Sequence, residues 1–408
     1  MATPKLRFKD FDGHWTKSKL GDLCVRNYQG INTVADKVEY QKTGYPILQA
    51  KHITSEKLDF DDVRFLSDLD FEKYRKKYIP KTNDILFSNI GTIGKVVLVG
   101  ESEPFFIAWN IFLISVKTDL VAPFYLATYL RRLTSLSYFD NLQTGNATKF
   151  INKTDLLDTG VTLPSKLEQT KIASFLSAVD EKISQLTQKH ELLNQYKQGM
   201  MQKLFSQQLR FKADDGSEFG EWEDKPLNEI ASKRSGKNKD GSISEVLTNS
   251  ATQGIIKQSD YFEREIVTES NLNGYYIVNL DDFVYNPRIS VHAPVGPIKR
   301  NKKCLGVMSP LYTVFTVVEG NLAYLEYFFD SNFWHDYVKG VANSGARHDR
   351  MNITNKDFFD MPILYPCLEE QTKIANFLSA IDQKIEVVAQ QIEQAKLWKK
   401  GLLQQMFV

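Results

Sequence analysis

Tyr285-Asn286-Pro287-Arg288 is the string nearest to the Asn/Asp-Pro-Pro-aromatic motif of an adenine methyltransferase, and it lacks the second proline and the aromatic. Gly91-Thr92-Ile93-Gly94-Lys95 has the composition of a phosphate loop. A Walker loop, however, needs four residues between its glycines and Ser or Thr after the lysine, and here there are two residues and Val96. Its strand-like flanks, Ile85-Leu86-Phe87 and Val96-Val97-Leu98-Val99, predict a tight turn instead. The six histidines lack metal-ligand spacing, and Cys24, Cys304 and Cys367 are too far apart for a zinc site or a disulfide framework. No nucleophile–base pair stands out by spacing. The expectation is a chain with no catalysis, metal or cofactor of its own.

Polar loops remain. Base edges in a DNA groove are read mostly by Arg or Lys on guanine and Asn or Gln on adenine, with Ser and Thr adaptable. In the first half the candidates are Gln49, Lys51 and His52; Ser88, Asn89, Thr92 and Lys95; and Thr144, Asn146 and Lys149. In the second half they are Asn249, Thr252 and Gln253; Arg288, Ser290 and His292; and Ser344, Arg347, His348 and Arg350. The strings QTGNATKF and NSGARHDR take the same slot in each half and differ in the residues that would recognise. The plain alternative for each is a solvated loop. A net charge of +1 is weak for a duplex binder, which usually carries a strong basic excess. Positive charge must then be local or supplied by a partner. Local clusters are Lys73, Arg75, Lys76 and Lys77; Lys233, Arg234, Lys237 and Lys239; and Lys299, Arg300, Lys302 and Lys303.

These loops are carried on a duplicated frame. EQTKIASFLSAVDEKI at Glu168–Ile183 returns as EQTKIANFLSAIDQKI at Glu370–Ile385, 370 − 168 = 202 positions on. Tyr196–Phe205 matches Trp398–Phe407 at that offset, and LRFKDFDGHW at Leu6 resembles LRFKADDGSEFGEW at Leu209. The chain is two half-molecules in tandem. Each repeated segment predicts a long helix with a heptad seam: Ile172, Leu176, Val179, Ile183, Leu186, His190, Leu193, Lys197, Met200 and Leu204, then Ile374, Leu378, Ile381, Ile385, Val388, Ile392, Ala395, Lys399, Leu402 and Met406. Connectivity makes the pair antiparallel, with about 50 Å of straight helix over residues 172–204 between two heads related by a pseudo-two-fold axis. The fold class is α/β (α+β). Residues 1–163 and 209–365 are the heads, and 164–208 and 366–408 the helices of an antiparallel coiled coil. Phe175, Leu192, Tyr196, Met201, Phe377 and Trp398 lie off the seam and are the candidates for a partner surface.

This arrangement resembles the specificity subunit of type I restriction–modification enzymes, over essentially the whole chain. The marks are Glu168-Gln169-Thr170-Lys171-Ile172 and its copy at Glu370–Ile374, the Leu163–Gln169 lead-in, and Asp84–Lys95 in the first head. The second head departs from the last of these, with Asp282-Phe283-Val284-Tyr285-Asn286-Pro287-Arg288 followed by Gly296-Pro297-Ile298-Lys299. The resemblance implies two target-recognition domains, each reading one half of a split site in double-stranded DNA. It also implies helices that position two methyltransferase subunits binding S-adenosylmethionine, and two restriction/translocase subunits using ATP and Mg. A non-DNA scaffold with two protein-binding heads is the other reading, favoured by the near-zero charge and opposed by the polar loops. With no secretory signal and no apolar run near the ~18 residues of a membrane span, the expected location is the cytoplasm.

Overall fold

The structure is a computed structural model that describes residues 3–54, 57–144, 149–261, 269–342 and 349–408. The chain forms two compact units, one of residues 1–186 with 391–408 and one of residues 187–390. Both boundaries fall inside the long helices, whereas the sequence reading cut the chain at the helix ends.

In the first unit, β1 (Cys24–Gln29), β2 (Ile85–Ser88), β3 (Val96–Leu98) and β4 (Ile111–Val116) form an antiparallel sheet in the order β1-β4-β2-β3. Successive side chains on a strand face opposite ways. Ile85, Phe87, Phe112 and Ile114 accordingly enter one core, with Tyr125, Leu126 and Tyr129 of the helix Pro123–Ser135. Leu86, Ile111 and Leu113 enter another, with Leu48, Ile53 and Phe105. A sheet buried on both faces needs nearly continuous apolar strands, which is why Ile111–Val116 reads IFLISV. Gly91 and Gly94, at φ +81° and +84°, make the turn between β2 and β3. In that left-handed conformation an added Cβ at Gly94 would also lie 2.9 Å from Thr134.

The second unit repeats the plan with other residues. There β5 (Ala231–Lys233), β6 (Phe283–Tyr285), β7 (Ile298–Arg300) and β8 (Thr313–Val317) form an antiparallel sheet in the equivalent order, β5-β8-β6-β7. Phe283, Tyr285 and Phe315 face the helix Leu322–Asp330, and Val284 and Val314 face the opposite core.

The long helices are Lys166–Phe205 and Leu368–Met406. Within the first unit, Ile172, Leu176 and Val179 from the start of one share a core with Leu402 and Met406 from the end of the other. Within the second, Leu204 and Phe205 share a core with Ile374, Leu378 and Ile381. The two helices therefore pack antiparallel. The lysines that interrupt each seam are ion-paired across it, Lys399 to Asp180 at 2.6 Å in the first unit and Lys197 to Asp382 at 2.6 Å in the second. Tyr327 donates to the other Asp382 oxygen at 2.7 Å.

The repeated ends of the halves are repeated because they bind each other. Arg7 grips the buried Glu168 through Nε and Nη2 at 2.7 and 2.8 Å, and Arg210 grips the buried Glu370 at 3.1 and 2.8 Å. Gln169 Oε1 accepts the Ala122 N–H at 2.9 Å, and Gln371 Oε1 accepts that of Asn321 at 2.8 Å, each just ahead of the helix that covers its sheet. Lys171 pairs with Asp10 at 2.6 Å and Lys373 with Asp214 at 2.5 Å. Glu-Gln-Thr-Lys is thus a clamp that fixes the long helix to its own head.

Three of the residues read as a partner surface are engaged at home. Met201, 8% exposed, lies in the second unit's core, while Met200 on the expected seam is only half-buried. A straight helix drifts about 20° per heptad from a 3.5-residue repeat, so four heptads move the buried stripe by nearly one residue. Phe175 packs edge-on against Phe8 at 5.8 Å and Trp398 at 5.9 Å, and Phe377 against Phe211 at 5.6 Å. Leu192, Tyr196 and Trp398 remain exposed.

Candidate nucleic-acid interface

At the end of each sheet opposite the candidate loops sits the same buried carboxylate device. Asp84, immediately before β2, accepts from Arg26 on β1 at 2.8 Å, from the Lys81 N–H at 2.8 Å and from the Ser115 hydroxyl on β4. Asp282, immediately before β6, accepts from Arg234 at 3.2 Å, from the Asn279 N–H at 2.8 Å and from the Thr316 hydroxyl on β8. One carboxylate thus ties three strands together. The sequence reading missed both triads. Their signal was an Asp directly before an apolar strand in each half.

In the first unit three candidate loops meet at Asn89 and Asn110. The Asn89 N–H donates to the Asn110 carbonyl at 3.2 Å, and the Asn89 carbonyl accepts the Ile151 N–H at 2.9 Å. Asn110 Oδ1 accepts the Ala50 N–H at 3.2 Å, and Gly91 N–H donates to the Lys149 carbonyl at 3.2 Å. Phe150 bridges both Ile90 and Thr144. Loops far apart in sequence are so held at one edge of the sheet. Asn110 was not among the sequence candidates.

The structure sorts these candidates by exposure. Ser88, Asn89 and His52 are buried and shape the loops. Ser88 Oγ accepts the Lys95 N–H at 2.9 Å, closing the hairpin. His52 Nδ1 accepts the Gln49 N–H at 2.8 Å, and burial holds the imidazole below its usual pKa. Lys51, Thr92, Thr144 and Lys149 are exposed, and Gln49 and Lys95 half-buried. Lys51 is 2.6 Å from Asp62. Asn146 lies outside the described residues.

The second unit builds its edge around Asn249 and Asn286. The buried Asn249 donates through Nδ2 to the carbonyls of Val284 at 2.7 Å and Pro297 at 3.1 Å. Asn286 Nδ2 donates to the Asn249 carbonyl at 3.0 Å, and its Oδ1 accepts the Arg288 N–H at 3.0 Å. Both ends of the Asn286 amide therefore serve the loop frame. Arg288 lies opposite Arg350 in an antiparallel bridge, with Met351 N–H donating to the Pro287 carbonyl at 2.8 Å. Thr252, Gln253, Arg288, Ser290 and His292 are exposed and Arg350 is half-buried. Ser344, Arg347 and His348 lie outside the described residues.

Among the described residues no group of three or more His, Cys, Asp or Glu could hold a metal, and no helix is long and apolar enough to cross a membrane. Burial pushes the Cys24 thiol up to about 11, far from a reactive thiolate. The third basic cluster is neutralised within its unit. Lys299 meets Asp330 at 2.5 Å, Arg300 meets Asp281 at 2.6 Å and Lys302 meets Glu326 at 2.7 Å.

Comparison with known proteins agrees with this geometry. Residues 13–195 and 220–397 each match the family model of the type I restriction modification DNA specificity domain. A Methanocaldococcus jannaschii protein provisionally named the type I restriction enzyme MjaX specificity subunit is 29% identical over 412 residues, covering 95% of this chain and 92% of that one. The type I restriction enzyme MjaVIII specificity subunit of the same organism is 25% identical over 344 residues, covering 80% and 79%. In fold, the chain is similar to the crystal structure of the type I restriction-modification system S subunit from M. genitalium, with TM-score 0.57, 15% identity and coverage of 100% and 99%. It is also similar to the HsdS subunit from Thermoanaerobacter tengcongensis, with TM-score 0.50, 15% identity and 96% of each chain covered.

Proposed function

The chain belongs to the type I restriction modification DNA specificity family, and from that membership we propose how its two units divide the work of a DNA sequence-specificity subunit. Each unit reads one half of a bipartite site in double-stranded DNA through the loop edge of its four-stranded sheet. The observation that carries this reading is that both units gather loops distant in sequence at one end of a sheet that a matching carboxylate triad ties together, while the exposed residues differ: Thr92, Thr144 and Lys149 in one, Thr252, Gln253 and His292 in the other. A constant frame with unlike exposed groups is what two unlike half-sites require.

Catalysis belongs to other subunits in this reading. Two methyltransferase subunits binding S-adenosylmethionine would dock on the long helices, against Leu192 and Tyr196 in the second unit and Trp398 in the first. Two restriction/translocase subunits using ATP and Mg would join them in the cytoplasm. The near-neutral charge and the internally paired third cluster fit a chain that gains part of its DNA affinity from partners.

Genome-wide mapping of methylated adenines in a host expressing the complex tests the assignment. One motif with two halves and a gap is expected. Exchanging residues 24–151 for those of another family member should change one half alone. A change in both halves, or no methylation motif, refutes the division of labour. The scaffold reading predicts no salt-sensitive binding to any split DNA site.

A further inference from the structure

Arg288 and Arg350 stand out among the arginines of this chain. Arg26, Arg210, Arg234 and Arg300 each have a carboxylate oxygen within 3.2 Å. Arg288 has no carboxylate partner among the described residues. Among the described residues Arg350 has only Asp349, whose half-exposed oxygen is 3.7 Å from its Nε, and that Nε is buried with no hydrogen bond to them. The antiparallel bridge sets the two arginines directly opposite each other on one face. Like charges so placed destabilise a ladder.

Both line one cleft of about 120 Å³, with Asn286, Ser309 and Tyr312. Its free groups are donors. The Asn286 amide is occupied at both ends, Ser309 Oγ already accepts the Leu311 N–H at 3.4 Å and keeps its own proton to give, and among the described residues no carboxylate lines the cleft. The volume is below the roughly 300 Å³ at which small-molecule pockets begin.

We propose that Arg288 and Arg350 jointly hold one phosphodiester group of the DNA backbone, fixing the register of the second unit on the duplex. This rests on the DNA-reading assignment above and deepens it. A guanine edge also offers acceptors, at O6 and N7, but it is neutral and would leave the repulsion between the two cations in place. A phosphate removes it and supplies oxygens for two guanidinium forks. Contacts of this kind position a protein without reading sequence.

The test is equilibrium binding by the full chain with its methyltransferase partner, over a salt series, to cognate duplex and to a scrambled duplex. Arg288→Ala and Arg350→Ala should each weaken both duplexes by the same factor, about ten- to a hundredfold for a charge-assisted contact. The double variant should lower the slope of log K against log salt by about 0.9, the value for one phosphate, and not by about 1.8. Arg350→Lys should keep most of the slope while losing affinity, because the charge stays and the fork goes. Without DNA, the Arg288→Ala chain should be at least as heat-stable as the parent, which separates a lost contact from a misfolded unit. Loss confined to cognate DNA would make the pair a base reader and overturn the proposal, as would a slope change near 1.8 or unchanged binding. If the parent complex failed to prefer cognate DNA, the DNA-reading assignment itself would fall, a result distinct from each of these.

Discussion

Removing Arg210 tests whether the repeated Glu-Gln segment is a clamp. Glu370 is 0% exposed and accepts three hydrogen bonds, from Arg210 Nε at 3.1 Å, Arg210 Nη2 at 2.8 Å and Trp222 Nε1 at 2.9 Å. Arg210→Ala leaves a buried carboxylate with one neutral donor. Breaking a buried pair from one side costs about 3–5 kcal/mol, because a charge is left uncompensated. The arginine is 19% exposed, so water can partly replace it and the low end applies. For a unit of 390 − 187 + 1 = 204 residues, each kcal/mol shifts Tm by about 2–4 °C, which gives roughly 6–12 °C in all. Calorimetry reads the shift, and hydrogen exchange at the start of the helix Leu368–Met406 should accelerate first. Arg210→Ala combined with Glu370→Gln should recover a good part of the loss. The equivalent Arg7→Ala should cost at least as much, since the Trp15 indole N–H reaches no partner and Glu168 keeps no second charged donor. A shift under about 2 °C for Arg210→Ala refutes the clamp. No recovery in the double variant would show that lost packing, not stranded charge, sets the cost.

Lys197→Met should leave the second unit nearly as stable, because Asp382 is 40% exposed to water and keeps the Tyr327 hydroxyl when the lysine is gone. Asp382→Ala should destabilise it instead, stranding Lys197 over the Tyr327 ring, and urea midpoints of the two variants give the comparison. Burial disfavours the imidazolium at His52 and His335, so the folded pKa of each lies below 6.5. Below pH 6.5 the unfolded chain binds protons the folded one does not, so stability is full above that pH and declines as pH falls through the window, by at most about 1.4 kcal/mol per pH unit per group. His52→Asn should remove its share of the slope in urea midpoints measured between pH 5 and 7, and an unchanged slope would count against the burial of His52. Tyr196→Glu, on an exposed helix face, should abolish co-elution with the methyltransferase while leaving Tm unchanged, and normal co-elution would remove this face as the docking surface.

The frame was far more legible in the sequence than the site. The heptad seam needs only apolar residues at steps of three and four, and most of the named positions, Ile172 and Leu378 among them, are buried. The antiparallel order followed from connectivity and is met within each unit. The Gly91–Lys95 turn followed from its flanking strands. At the loops, however, residue type alone cannot separate a reader from a loop-shaper. Asn89 and Asn249 are polar enough to touch a base, and both are buried on backbone groups. Asn110 bears as much of the loop geometry as either and follows Trp109 with nothing to distinguish it. Long-range backbone hydrogen bonds decide these roles, and they leave no local periodicity. Met201 was misplaced for a different reason, the gradual drift of a straight helix against a seven-residue repeat.

The triads explain why the duplication fades where it does. The helical copies keep a constant offset of 202, and the clamp residues Glu168 and Glu370 share it. The triad residues do not. Asp84 and Asp282 are 282 − 84 = 198 apart, Arg26 and Arg234 are 234 − 26 = 208 apart, and Ser115 and Thr316 are 316 − 115 = 201 apart. The same three-strand tie therefore survives while the segments between its members gain and lose residues. A buried Asp held by an arginine, a backbone N–H and a hydroxyl fixes the strands whatever length of loop leaves them, because its partners lie at the sheet end opposite the candidate loops, in or beside the strands and in the short turn before the Asp. Recognition loops can then change length and composition at little cost to the core. Wherever that holds, grafting a loop should alter the DNA half-site and leave the stability of the unit nearly as it was, whereas Asp84→Ala or Asp282→Ala, which touches no DNA, should unfix every loop of its unit at once.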